Sequence, residues 1–179
     1  IRTIYYSEPG IMWIGTYGGG LNRLDIKKNK VDVFTTKPND PTSISSNFIY
    51  SLHNDRDDRL WIGTYGGGLN RFDPATEMFK RYVHNPQDSS SLSNDILVSI
   101  TEDENGILWI GTWGGGLIRF DPTSEHFSTY VHDSQNASSI SGDYVTAVHQ
   151  ARDSRYWVMT RFNGLNLFDP ATHTFKHFP

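Results

Sequence analysis

Residues able to do chemistry are plentiful in this chain and dispersed along it. Carboxylates cluster at Asp55, Asp57 and Asp58, serines at Ser89, Ser90 and Ser91, and seven histidines are scattered over 179 residues. Glycoside hydrolysis needs two carboxyls converging within roughly 5 to 10 Å, and no unique pair announces itself. An aspartate cluster in a polar stretch reads as a solvated turn. No histidine pair sits at metal-ligand spacing and no H-E-x-x-H motif occurs, so no metal site is expected. The serines lack the G-x-S-x-G setting that exposes a nucleophile, and the absence of cysteine excludes disulfides and thiolate ligands. We expect no catalytic residue and no cofactor; the pattern points to recognition.

The groups suited to recognition are aromatic. Tyr17, Tyr65 and Trp113 each precede a run of three glycines, and the corresponding segment further on reads Arg161-Phe162-Asn163-Gly164. Flat rings beside glycine backbone suit sugars, whose C–H faces are apolar while their hydroxyls seek N–H and side-chain donors. Arg161 and Asn163 break the repeat and could orient an acidic or hydroxylated ligand. The expected ligand-binding residues are therefore Tyr17, Tyr65, Trp113, Arg161, Phe162 and Asn163. The competing reading is that these aromatics merely cover neighbouring loops.

What must position them is a repeat. Trp13, Trp61, Trp109 and Trp157 lie 48 residues apart, and Asp25, Asp73, Asp121 and Asp169 keep the same interval. Each unit contains four strand-length runs, in the second copy Ile49-Tyr-Ser-Leu, Leu60-Trp-Ile-Gly-Thr, Leu69-Asn-Arg-Phe-Asp and Met78-Phe-Lys-Arg-Tyr. Turn signals separate them: a polar stretch that contains Asn105-Gly106 in the third copy, the triple glycine, and Asp73-Pro74-Ala75-Thr76. A long polar connection with a Ser-Leu-Ser motif at 91–93 leads to the next unit, and helical spacing is absent. This predicts an all-β fold, a β-propeller segment of four four-stranded antiparallel blades at 1–48, 49–96, 97–144 and 145–179. A residue present in every blade is needed by every blade. The repeated Trp residues are thus expected in inter-blade packing and the repeated Asp residues in turns. In a meander, the loop between the second and third strands shares a face with the connection to the next blade, which brings the aromatic candidates to one face. Four blades could close alone or belong to a larger ring, completed by other blades or by a second copy; we favour the larger ring.

The formal net charge of −4 supplies no basic field for phosphates, so no nucleic-acid partner is expected. No apolar run approaches the roughly 20 residues that span a bilayer, and no direct membrane contact is expected.

The run Leu60-Trp-Ile-Gly-Thr-Tyr-Gly-Gly-Gly-Leu-Asn-Arg-Phe-Asp73, with variants at 12–25 and 108–121, closely resembles the two-component regulator propeller repeat. The resemblance covers all four copies, although the fourth has Met159 in place of a glycine and Arg161-Phe162-Asn163 in place of an aromatic and two glycines. It implies a periplasmic or extracellular sensor region, as in bacterial hybrid histidine kinases, that binds an oligosaccharide ligand and passes the signal to an attached kinase. A protein–protein interaction scaffold without a small-molecule ligand is the alternative.

Overall fold

The structure is a computed structural model that describes residues 1–7 and 10–178; Glu8, Pro9 and Pro179 lie outside the described residues. Blade 1 comprises β1 (Thr3–Ser7), β2 (Ile11–Gly15), β3 (Leu21–Asp25) and β4 (Lys30–Phe34). Blade 2 comprises β5 (Ile49–Asn54), β6 (Leu60–Thr64), β7 (Leu69–Asp73) and β8 (Met78–Tyr82). Blade 3 comprises β9 (Leu97–Glu102), β10 (Leu108–Thr112), β11 (Leu117–Asp121) and β12 (His126–Tyr130). Blade 4 comprises β13 (Val145–Gln150), β14 (Tyr156–Thr160), β15 (Leu165–Asp169) and β16 (Thr174–Phe178). Each blade is one antiparallel meander in sequence order, as the turn signals require. The chain forms two compact units: Ile1–Val83 with Asp95–Leu97, and His84–Asn94 with Val98–Pro179.

Within the first unit, blade 1 meets blade 2 through aromatic rings. Trp13 stands edge-on to Phe72 at 4.9 Å between ring centroids, and Phe34 contacts Phe72 and Phe79 at 5.2 and 5.7 Å. The second unit repeats the scheme: Trp109 packs against Tyr156 and Phe168 at 4.4 and 5.6 Å, and Tyr130 against Phe168 and Phe175. The Trp of one blade thus lies on the third-strand Phe of the next. The Ser-Ile-Ser and Ser-Leu-Ser motifs plug the connections, their central Ile44, Leu92 and Ile140 being fully buried or nearly so. Asn70 holds the first of them, accepting from Ser45 N–H at 3.0 Å and donating to Ser45 Oγ at 2.7 Å; Asn166 does the same with Ser141.

The repeated aspartates are turn formers. Asp25, Asp73, Asp121 and Asp169 accept backbone N–H groups two or three residues on, each at 2.9 Å. The residue before each fourth strand, Asn29, Glu77, Glu125 or His173, takes positive φ, which closes the hairpin with the strand twist.

Two expectations need correction. Asp55 is no solvated turn residue: its side chain is fully buried and accepts from Trp61 Nε1 at 2.7 Å and Arg59 Nε at 2.6 Å. Trp157 does not pack like its counterparts, being half-buried beside Phe178 of its own blade at 5.5 Å. Ala151 stands where blades 2 and 3 carry the aspartate that fixes the indole, so nothing equivalent anchors this ring.

The register places Ile4, Tyr6, Met12, Ile14, Leu24, Val31 and Val33 on one face of blade 1. Ile4, Tyr6, Val31 and Val33 are more than half exposed there, whereas at the corresponding positions of blade 2 Phe79 is buried and Leu52, Asn54 and Arg81 are partly buried.

Candidate functional site

The loops that carry the aromatic candidates are built by one device. In each, the threonine that ends the second strand donates its hydroxyl to the carbonyl of the loop's last glycine: Thr16 to Gly20 at 2.9 Å, Thr64 to Gly68 at 2.8 Å, Thr112 to Gly116 at 2.7 Å and Thr160 to Gly164 at 2.9 Å. That glycine has positive φ, and a Cβ at Gly116 would collide with the Tyr130 carbonyl oxygen, so only glycine fits. Blade 4 keeps this lock although its loop sequence departs from the others.

Two further glycine N–H groups in each of the first three loops converge on one carbonyl of the connection that leads to the next blade. Gly18 and Gly20 donate to Asn47, Gly66 and Gly68 to Asp95, and Gly114 and Gly116 to Asp143, all at 3.0 to 3.1 Å. These donors are therefore not open to a ligand, which corrects the expectation that the glycine backbone meets sugar hydroxyls.

In the first unit Tyr17 lies edge-on to Phe48 at 4.8 Å and near Tyr50 at 6.3 Å, while Tyr50 contacts Tyr65 at 5.5 Å. Arg2 lies over the Tyr50 ring at 4.5 Å. Tyr17 is 65% and Tyr65 43% exposed, so the row is open to solvent. In the second unit Trp113 stands perpendicular to Tyr144 at 5.4 Å, and Tyr144 contacts Phe162 at 5.5 Å. Arg161 caps this cluster, 4.7 Å above Trp113 and 5.5 Å from Phe162. Phe162 and Asn163 also wall a cleft of about 500 Å3 completed by His132, Ser141 and His177. One ring nitrogen of each histidine is held by a backbone carbonyl, His132 on Ile140 at 2.8 Å and His177 on Ser139 at 2.6 Å.

The structure thus brings Tyr17 with Tyr65, and Trp113 with Arg161 and Phe162, and it adds residues that sequence reasoning passed over. Phe48 and Tyr144 enter through antiparallel bridges to Tyr17 and Trp113. Their signal was present, since both lie 31 residues beyond their partner at one position of the repeat. The covering of neighbouring segments and the exposure of a stacking surface prove to be two sides of one arrangement. Among the described residues no group of three or more His, Asp or Glu side chains could hold a metal ion.

The family model described as two component regulator propeller matches residues 43–66 and 90–114, each spanning a blade connection and the next Trp-bearing strand. These two segments thus match the two-component regulator propeller repeat. Among solved structures, this propeller segment is similar to the extracellular domain of a protein assigned as a hybrid two component system from Bacteroides thetaiotaomicron. The identity is 26% and the TM-score 0.80, over 98% of this chain and 23% of that one. A second such domain from the same organism gives 23% identity and a TM-score of 0.78 over 98% and 24%. An auxiliary nutrient binding protein, also from Bacteroides thetaiotaomicron, shares the fold at 9% identity and a TM-score of 0.62, over 97% and 40%. The propeller segment spans about a quarter of the length of the first two structures. No curated protein matches it.

Proposed function

We propose that this chain belongs to the extracytoplasmic sensing region of a two-component signalling protein and that it recognises an oligosaccharide through its second-to-third-strand loops. The observation that carries the reading is the cluster of Trp113, Tyr144, Arg161 and Phe162. It is an open aromatic surface with a guanidinium above one ring and a polar cleft beside another. Sugar C–H faces stack on such rings, and Arg161, Asn163 and the free ring nitrogens of His132 and His177 offer donors to hydroxyl or carboxylate oxygens. The repeat family and the similarity to extracellular domains of two-component proteins support the sensory setting. A ligand held here signals only if it binds two arrangements of the receptor unequally, so the kinase output would follow from flanking domains.

Completion of the ring by further blades, in the same polypeptide or a second copy, is part of the proposal. The exposed apolar residues Ile4, Tyr6, Val31 and Val33 on one face of blade 1 support it.

The test is retention on an array of short oligosaccharides by the chain and by Trp113→Ala combined with Arg161→Ala. The double variant should lose retention while its stability falls by no more than about 1.5 kcal/mol, the scale of one aromatic pair. Retention by neither protein, with capture of a protein partner instead, would favour the scaffold reading. Unfolding of the double variant would show that the cluster is structural.

A further inference from the structure

Tyr50 occupies a position that the repeat fills differently in every blade: Arg2, Tyr50, Val98 and Thr146 each stand eleven places before the Trp of their copy. A residue that the fold required would recur, so the fold makes no fixed demand on this side chain. The backbone there is constrained. Ile49 pairs with Thr64 and Ser51 with Gly63, which leaves Tyr50 without a partner across the ladder, and the same irregularity falls between Val145 and Ala147 in blade 4. Such a bulge re-aims the side chain that it releases. The Tyr50 ring lies 5.5 Å from Tyr65, with the two planes 30° apart, and 6.3 Å from Tyr17. One bulge and two loops thus bring three tyrosines onto a single ledge of the first unit.

Arg2, which fills the same position in blade 1, lies over this ledge with its guanidinium 4.5 Å from the Tyr50 ring centroid. It is exposed and pairs with no carboxylate among the described residues. The connection beside the Tyr17 loop carries Asn47 where the two later connections carry Asp95 and Asp143, and the Asn47 side-chain oxygen accepts from Thr36 N–H at 2.8 Å. Asp95 enters from the connection at the Tyr65 loop, which leaves the Tyr17 end of the ledge as the one suited to an anion. A planar guanidinium matches a carboxylate through two parallel N–H bonds.

We propose that this ledge is a second sugar subsite, selective for a uronic acid, whose C–H face stacks on Tyr17 and Tyr50 and whose carboxylate takes the Arg2 fork. The proposal rests on the reading of these loops as sugar-binding and adds to it a site and a sugar class. It uses no residue of the Trp113 cluster, so the two sites report separately.

The test is a titration of the chain, at matched ionic strength, with trigalacturonate and with its fully methyl-esterified form, which keeps the rings and removes the charge. Binding is read from the ring signals of Tyr50 and the guanidinium signal of Arg2, assigned from Tyr50→Val and Arg2→Gln, while the Trp113 indole reports on the second unit. The acid should shift the Tyr50 and Arg2 signals and bind there about tenfold more tightly than the ester, or better, the scale of one charge-assisted pair. Arg2→Gln should erase that preference with Tm unchanged. Tyr50→Val, which installs the residue that blade 3 has at this position, should weaken the binding of both trimers at the ledge. Equal binding of acid and ester at the ledge, or an acid preference that survives Arg2→Gln, would overturn the proposal and leave the sugar reading intact. A response at Trp113 alone would do the same. Silence of every signal toward both trimers would count against the proposal and the sugar reading together.

Discussion

Asp103 gives the sharpest test of how two blades are held together in the second unit. Its carboxylate is buried and accepts from four donors: Trp109 Nε1 at 2.9 Å, the Tyr156 hydroxyl at 2.7 Å, and the N–H groups of Asn105 and Ile107 at 2.8 and 3.1 Å. Trp109 belongs to its own blade and Tyr156 to the next, so one carboxylate fastens both. Asp103→Ala removes the acceptor of two buried side-chain donors. A hydrogen bond to a charged group contributes about 1.5 to 3 kcal/mol. Some of that returns when water or small shifts satisfy the donors, so we expect a loss of about 3 to 4 kcal/mol. Tyr156→Phe removes one of the two bonds and should cost about 1.5 kcal/mol. The double variant should fall short of the sum by about as much, since both remove the same bond. Urea unfolding followed by tryptophan fluorescence measures all three. A loss under about 1 kcal/mol for Asp103→Ala, or strict additivity, would refute the clasp.

The same carboxylate predicts an acid limit. Burial pushes the Asp103 carboxyl up, but Tyr156, Trp109 and the turn N–H groups together outweigh it and hold it below the usual carboxylate range; Asp55 is depressed likewise, with Trp61 and Arg59 outweighing burial. A depressed folded pKa stabilises above the unfolded value of about 4 and the contribution fades as pH falls through the folded one, so stability measured from pH 6 to pH 2 should drop below about pH 4, less steeply in Asp103→Asn. Trp109→Ala should cost about 3 to 5 kcal/mol in thermal or urea unfolding, while Trp157→Ala, half-buried, should cost about 1 to 2. Light scattering at micromolar concentration should show association that Ile4→Asp with Val33→Asp abolishes without loss of folded signal; a stable wild-type monomer would instead favour closure within one chain.

Most of the architecture was legible because a repeat states each structural demand several times. The strand runs of the second copy coincide with β5 to β8 almost residue for residue, since Leu60-Trp-Ile-Gly-Thr and its neighbours alternate between glycine or polar turns at fixed intervals. The burial of Asp55 was not legible: its neighbours Asp57 and Asp58 are exposed, and only tertiary folding aims one carboxylate of three at an indole. Nor could sequence tell that the glycine N–H groups are consumed by Asn47, Asp95 and Asp143, because those acceptors are backbone carbonyls without a side-chain signature. Positive φ at Glu77 and Glu125 was equally hidden, since glutamate carries no preference for it. The Arg161 contact with Trp113 joins residues 48 apart and became readable only once the loops were seen to adjoin.

The central claim is recognition of an oligosaccharide at the loop cluster of the second unit. The most direct measurement is a titration of the chain with oligosaccharides from hydrolysed plant and animal polysaccharides, read from the indole N–H signal of Trp113 and the guanidinium signals of Arg161. The account predicts saturable shifts at Trp113 and Arg161 for at least one oligosaccharide, with the buried Trp61 and Trp109 unmoved. Saturable binding that leaves Trp113 and Arg161 unperturbed, or no response to any oligosaccharide, would contradict it.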